Sequence, residues 1–226
     1  MYKFYATLLD TFHYYKCSEK ETALEEFLAS VNRTSGRSEA ASKGTAFNEL
    51  IDKVLSDPTQ MERLKSYTAI NLSYDYVDKE GLKTQMIFPT EIVKYFVDYF
   101  YGSVPQMFVE APLQTSMGLV NLYGYMDEIR RDWSYDIKTT GQYLFPKFID
   151  KYQHIVYPYC LHHMCISVSN FKYVITDFKE VFEEDYIYSP ERDTNRLISV
   201  CNDLIEFIER PEIKSRVTNL KIYGLA

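Results

Sequence analysis

The sequence predicts an α/β or α+β domain, with a central mixed β-sheet and helices packed on it. Three observations lead there. Helix-period and strand-period runs follow one another along the chain, with no internal repeat and no low-complexity segment. The 226 residues suit one domain, 1–226, and no composition shift divides them. Hydrophobic residues make up 46% and charged residues 25%, the balance of a chain with an ordinary globular core.

The elements read as follows. Residues 2–15 carry closely spaced apolar and aromatic positions and predict an opening helix. The polar stretch 32–38 is a loop. A helix from Ser42 to Leu55 follows, with Phe47, Leu50, Ile51 and Val54 on one face. Residues 66–77 and 82–88 read as a hairpin about the turn Asp78-Lys79-Glu80-Gly81. Thr90 can cap a helix to about Tyr101. Strands are expected over 106–113, 119–129 and 135–140, then a helix over 144–164 that Pro158 kinks. Strands over 171–177 and 181–188, a helix over 193–210 stopped by Pro211, and a short strand over 220–223 complete the chain.

Composition limits the function. The aromatic share of 16% supplies a large core and faces on which nucleobases can stack. A net charge of -7 argues against a passive coat for nucleic acid. It argues less against an enzyme that holds a divalent cation between carboxylates. No run of eighteen apolar residues exists, so no membrane helix is expected, and the start of the chain lacks a leader pattern. The expected location is the cytoplasm. Cys17, Cys160, Cys165 and Cys201 are too few and too scattered for a disulfide framework.

The chemistry concentrates in Gly124-Tyr125-Met126-Asp127 and Asp136-Ile137-Lys138-Thr139-Thr140. Side chains alternate along a strand, so Asp136 and Lys138 share a face. A hairpin partner carrying Asp127 brings a second carboxylate close. Two close carboxylates repel, and a cation relieves the repulsion. Oxygen donors suit Mg2+ or Mn2+. A lysine beside such an ion can hold water and stabilise charge on a phosphate. Asp-x-Lys alone is a common tripeptide; a strand ending in Asp before it is not.

These residues resemble the RecB-like exonuclease branch of the PD-(D/E)XK nuclease superfamily. That branch has Gly-x-x-x-His-x-x-x-Glu on a helix, Gly-x-x-Asp and Asp-x-Lys on strands, and Gln-x-x-x-Tyr on a following helix. Here Gly44–Asp52, Gly124–Asp127, Asp136–Lys138 and Gln153–Tyr157 stand in that order, within 44–161. The resemblance implies a restriction-endonuclease-like core and Mg2+- or Mn2+-dependent DNA hydrolysis, most simply exonucleolytic, in phage or bacterial recombination or repair. It implies that Asp127, Asp136 and the backbone carbonyl of Ile137 bind metal and that Lys138 is catalytic. Gln153 and Tyr157 would border the site, touching DNA or positioning Lys138. A recombination or repair partner protein fits the same reading.

The first motif departs from the family: Asn48 replaces its histidine and Asp52 its glutamate, and Glu49 is a further candidate ligand. An alternative therefore stands beside the enzyme, a catalytically inactive nuclease-fold module that binds nucleic acid or protein. Some branches carry a four-cysteine iron–sulfur cluster. The wide separation of Cys160, Cys165 and Cys201 leads us to expect none. His162, His163 and Cys165 lack a companion pair for zinc. Glu110 reads as a solvated strand carboxylate.

Overall fold

The computed structural model describes residues 1–36 and 38–225. Arg37, inside the expected loop, lies outside the described residues. The chain opens with β1 (Tyr2–Tyr5), α1 (Ala6–Cys17) and α2 (Ala23–Asn32). Next come α3 (Glu39–Ser56), α4 (Pro58–Ser66), β2 (Asn71–Val77), β3 (Lys83–Pro89) and α5 (Thr90–Tyr99). Then follow β4 (Val104–Thr115), β5 (Gly118–Arg130), β6 (Trp133–Thr139) and α6 (Gln153–His163). The chain continues through β7 (Asn170–Thr176), β8 (Val181–Ile187), α7 (Pro190–Glu209), α8 (Pro211–Lys214) and a 3-10 turn over Leu220–Tyr223.

The architecture is α+β, with a mixed sheet flanked by helices. β5 pairs antiparallel with β4 along one edge. Along its other edge it pairs first with β1, in parallel, and then with β6, antiparallel. β6 continues in parallel to β7, and β7 antiparallel to β8. β2 and β3 form a separate hairpin. Its turn is closed by the Asp78 carboxylate, which accepts from the amides of Glu80 and Leu82, at 2.9 and 2.8 Å.

Two apolar cores lie on opposite faces of the sheet. The larger joins α1, α2, α6 and α7 to the sheet through residues such as Phe4, Phe12, Phe27, Leu122, Phe171 and Tyr173. The smaller joins Phe47, Ile51, Phe88, Phe96 and Phe100 to Tyr135, Ile137 and Val174. Alternation on β6 and β7 divides the side chains between the two. Tyr135 and Ile137 enter the small core, while Phe171, Tyr173 and Ile175 enter the large one.

Several expectations are corrected. Residues 2–15 are a strand followed by a helix; Tyr2–Tyr5 are drawn into the sheet by β5 residues Val120–Tyr123. The hairpin begins at Asn71, not 66, because α4 runs to Ser66. Thr90 does not cap α5: its hydroxyl donates to the Ala69 carbonyl at 2.7 Å, and Pro89 takes the cap position. The helix expected over 144–164 spans only Gln153–His163, with Pro158 inside it. Residues 144–152 form a loop containing a cis Phe145–Pro146 peptide. Pro211 ends α7 but also opens α8, as proline at a first helical position can. Leu220–Tyr223 is a 3-10 turn rather than a strand. The helices α2 and α4 were not anticipated.

Candidate functional site

Asp127 sits where the sheet lets go of the backbone on both sides. The β5–β6 ladder runs from Arg130↔Trp133 to Glu128↔Tyr135 and stops. One step further Asp127 would face Asp136. On the other flank, the β4–β5 register skips Gln106 opposite Asp127, and Gln106 has a φ of 51°. Such a left-handed glutamine costs about 1 kcal/mol. In place of a ladder bond, the Ile137 amide donates to Asp127 Oδ2 at 2.8 Å. Asn48 Nδ2, from α3, donates to the same oxygen at 3.2 Å.

Asp136 and Lys138 project together, as strand alternation requires, and Lys138 Nζ lies 2.6 Å from Asp136 Oδ2. The other Asp136 oxygen accepts from Gln153 Nε2 at 2.6 Å, and the same amide donates to the Tyr157 hydroxyl at 3.2 Å. Residues from all four motifs therefore meet. The motif glycines have a geometric reason. A Cβ on Gly124 would stand 2.5 Å from the Tyr157 ring, and one on Gly44 would stand 2.7 Å from Thr139 Oγ1.

The electrostatics follow from burial. Asp136 is buried and Asp127 half-buried. Burial, then the neighbouring Asp136, pushes the Asp127 carboxyl well above its usual range; Lys138 and the Ile137 amide pull the other way. Burial disfavours the Lys138 ammonium, but Asp136 and Asp127 outweigh it and hold its pKa above the ordinary value. At neutral pH Lys138 is therefore a cation and hydrogen-bond donor. Burial pushes the Tyr157 phenol far up, so Tyr157 stays neutral.

Sequence reasoning missed two acids here, Asp10 and Glu128. Asp10, on α1, accepts from the Tyr152 amide at 2.7 Å. Burial pushes its carboxyl up to about 6, against the pull of Lys151 and Lys138. Its only signal was an acid inside the apolar run Leu8-Leu9-Asp10-Thr11-Phe12. The second is Glu128, beside the α3 candidate Asp52. Ser103 Oγ donates to Glu128 Oε2 at 2.6 Å and Gln106 Nε2 to Asp52 Oδ2 at 3.0 Å. Asp52 Oδ1 and Glu128 Oε1 are both buried without a hydrogen-bond partner, and the neighbouring Asp52 charge adds to the rise of the Glu128 carboxyl. Burial pushes Glu128 up to about 7 and raises Asp52.

The three α3 candidates thus separate. Asn48 touches Asp127, Asp52 is engaged by Gln106, and Glu49 is exposed. Glu110 is exposed and accepts from Asn121. His162 and His163 bond to Ser169 and to the Tyr159 carbonyl. Cys17 and Cys165 are exposed, Cys160 and Cys201 buried.

Among the described residues no group of three or more His, Cys, Asp or Glu side chains is arranged to hold a metal ion. The donors at the seam are a different set: two carboxylates and an amide, with the Ile137 backbone between them. Asn48 Oδ1 is buried without a hydrogen-bond partner, and Asp127 bears the repulsion of Asp136. An orphaned oxygen beside two repelling carboxylates fits a hard divalent cation.

No family model matches the chain, and no curated protein matches it. Four solved chains do. One is the crystal structure of SSO0001, with 11% sequence identity and a TM-score of 0.51, covering 93% of this chain and 78% of that one. At that identity the likeness shows the fold alone: α+β, with a mixed central sheet flanked by helices. No helix is long and apolar enough to cross a membrane among the described residues.

Proposed function

We propose that the chain is a Mg2+- or Mn2+-dependent DNA nuclease of the PD-(D/E)XK type, acting as a cytoplasmic exonuclease in recombination or repair. One observation carries the proposal: at the open end of the β5–β6 ladder, Asn48, Asp127 and the Ile137 amide form one bonded set and Lys138, Asp136, Gln153 and Tyr157 a second, and the β6 backbone joins the two. A chance scatter of weak motifs has no reason to converge on one seam.

In this reading Asp127 and Asp136 would hold the cation, with the Ile137 carbonyl and Asn48 Oδ1 as further oxygens. A bound divalent ion supplies Lewis-acid charge to the phosphate and acidifies water. Lys138, charged at neutral pH, orients that water or offsets charge on the phosphate oxygens. Gln153 fixes the rotation of the Asp136 carboxylate, and Tyr157 fixes Gln153.

The purified chain should degrade linear DNA with Mg2+ or Mn2+ and stop in excess chelator. Asp136→Ala and Lys138→Ala should each lower the rate by about 10³-fold or more. Undiminished degradation in chelator would sink the mechanism.

A second reading, the inactive nucleic-acid- or protein-binding module, has its own support. Asn48 is a weaker ligand than histidine, and both Asp136 oxygens already have partners. Calorimetry with Mn2+ separates the two. Absence of binding at millimolar ion selects the module.

A further inference from the structure

One edge of β5 is shared by two strands that do not meet. β1 pairs with it over Val120–Tyr123 and β6 over Glu128–Arg130, so 124–127 have neither neighbour in the ladder there. At Tyr5 the chain leaves β1 for α1, and a pocket of about 610 Å³ opens in the fork. Pockets of roughly 300–1,000 Å³ take small molecules. Four tyrosines line this one, Tyr5, Tyr123, Tyr125 and Tyr157, with two cations, Arg33 and Lys79. The chain has 32 acidic residues against 25 basic ones, yet among the described residues no carboxylate lines the pocket.

Arg33 is fixed in place. Its guanidinium carbon lies 5.3 Å from the Tyr5 ring centroid, and its Nη2 donates to the Tyr123 hydroxyl at 2.8 Å. It closes α2 with a φ of 57°, a conformation that glycine adopts freely and that costs another residue about 1 kcal/mol. Arginine at this position lowers stability and supplies a guanidinium. Neither Arg33 nor Lys79 has an ion-pair partner among the described residues. Tyr125 is 59% exposed, with its ring 5.0 Å from that of Phe108. Tyr157 forms the inner wall, packed against Gly124, and its hydroxyl accepts from Gln153. The pocket therefore abuts the seam without being lined by Asp127, Asp136 or Lys138.

Tyrosine faces and a guanidinium plane stack on any nucleobase. Two cations free of carboxylates suit one phosphate group. Thr7 and Ser35 add exposed hydroxyls for a sugar. A nucleic-acid strand would require a longer track of cations. We propose that the fork pocket binds a free nucleoside monophosphate, its phosphate on Arg33 and Lys79 and its base on the tyrosine faces. The site is separate from the seam and does not rest on the nuclease reading.

The test is calorimetry of the native chain with AMP, in excess chelator and without DNA. AMP should bind at one site, and adenosine and inorganic phosphate should each bind at least tenfold more weakly. Arg33→Gly should weaken AMP at least tenfold while the melting temperature holds or rises, because glycine suits the backbone there. Tyr125→Ala should weaken AMP severalfold. Lys138→Ala, at the seam, should leave AMP affinity within twofold. No binding at millimolar AMP, binding only with Mn2+, or an affinity unchanged by Arg33→Gly overturns the proposal. Inorganic phosphate binding as tightly as AMP overturns it as well. So does a phosphorylated single strand that displaces AMP at a tenth of its concentration, since the pocket would then belong to the path of DNA. AMP binding by a chain that degrades no DNA would remove the nuclease reading and keep the pocket; degradation without AMP binding does the reverse.

Discussion

Two pairs of acids start from neighbouring positions of β5, Asp127 and Glu128, and differ in what stands beside them. Asp127 and Asp136 have Lys138 beside them, with donors from Ile137, Asn48 and Gln153. Glu128 and Asp52 have no ion-pair partner among the described residues, only Ser103 and Gln106 as donors. Burial raises the carboxyl pKa in both pairs. What differs is Lys138. Lys138 pulls the Asp127 carboxyl down against burial, whereas no cation opposes burial at Glu128. The difference between a site and a structural acid pair here is one side chain on an alternating strand.

The comparison can be broken at several points. The largest effect should come from Lys138→Met, which removes the cation from the first pair. Without metal, the half-exposed position limits the expected destabilisation to about 1–3 kcal/mol. Added Mn2+ should recover most of the loss in thermal unfolding, since a cation would replace the ammonium's charge. No recovery at millimolar Mn2+ would break the parallel between lysine and metal.

Next is Gly124→Ala. Its methyl would stand 2.5 Å from the Tyr157 ring, so the ring must move and Gln153 with it. Overpacking of this kind costs about 1–3 kcal/mol. Activity should fall more than stability implies, and Tyr157→Leu in the same chain should restore stability but not activity. A double variant no more stable than Gly124→Ala alone would show that the glycine serves something other than Tyr157.

The smallest effect on activity concerns Glu128. Its carboxyl lies at about 7 in the folded chain against an ordinary 4.5. A raised carboxyl releases its proton in the unfolded chain first, so stability is lost as pH rises from 4.5 through 7. By pH 8 that amounts to about 2–3 kcal/mol. Glu128→Gln should remove this slope in urea titrations at pH 5 and pH 8, with DNA degradation within threefold of the parent. A slope that persists would place the titrating group elsewhere, and a large loss of activity would make the second pair part of the site.

Local chemistry made the site legible. Alternation put Asp136 beside Lys138, and helical spacing put Gln153 one turn from Tyr157. Both relations follow from neighbours in sequence, and both are seen in the side-chain contacts. What could not be read depends on distant partners. Tyr2–Tyr5 has helical apolar spacing, but β5 pairs it as a strand. Residues 144–152 look like the start of a helix, yet Glu184 on β8 holds them as a loop. Asp10 meets the Tyr152 amide through the docking of α1 on the start of α6, and no spacing announces it. The α+β class survived these errors because it depends on alternating elements rather than on their ends.

The two cores have a consequence for how the molecule opens. The small core is drawn almost wholly from one continuous stretch between Ala46 and Phe100, while the large core needs both ends of the chain. Contiguous, locally contacting segments tend to open and close as cooperative units. Asn48 belongs to that stretch and Gln153 to the helix on the far face, with Asp127 and Asp136 between them. The seam is therefore complete only while the stretch is docked. Amide exchange over α3 and α5 should slow when Mn2+ binds, because the ion would act as a latch between two halves that otherwise part independently.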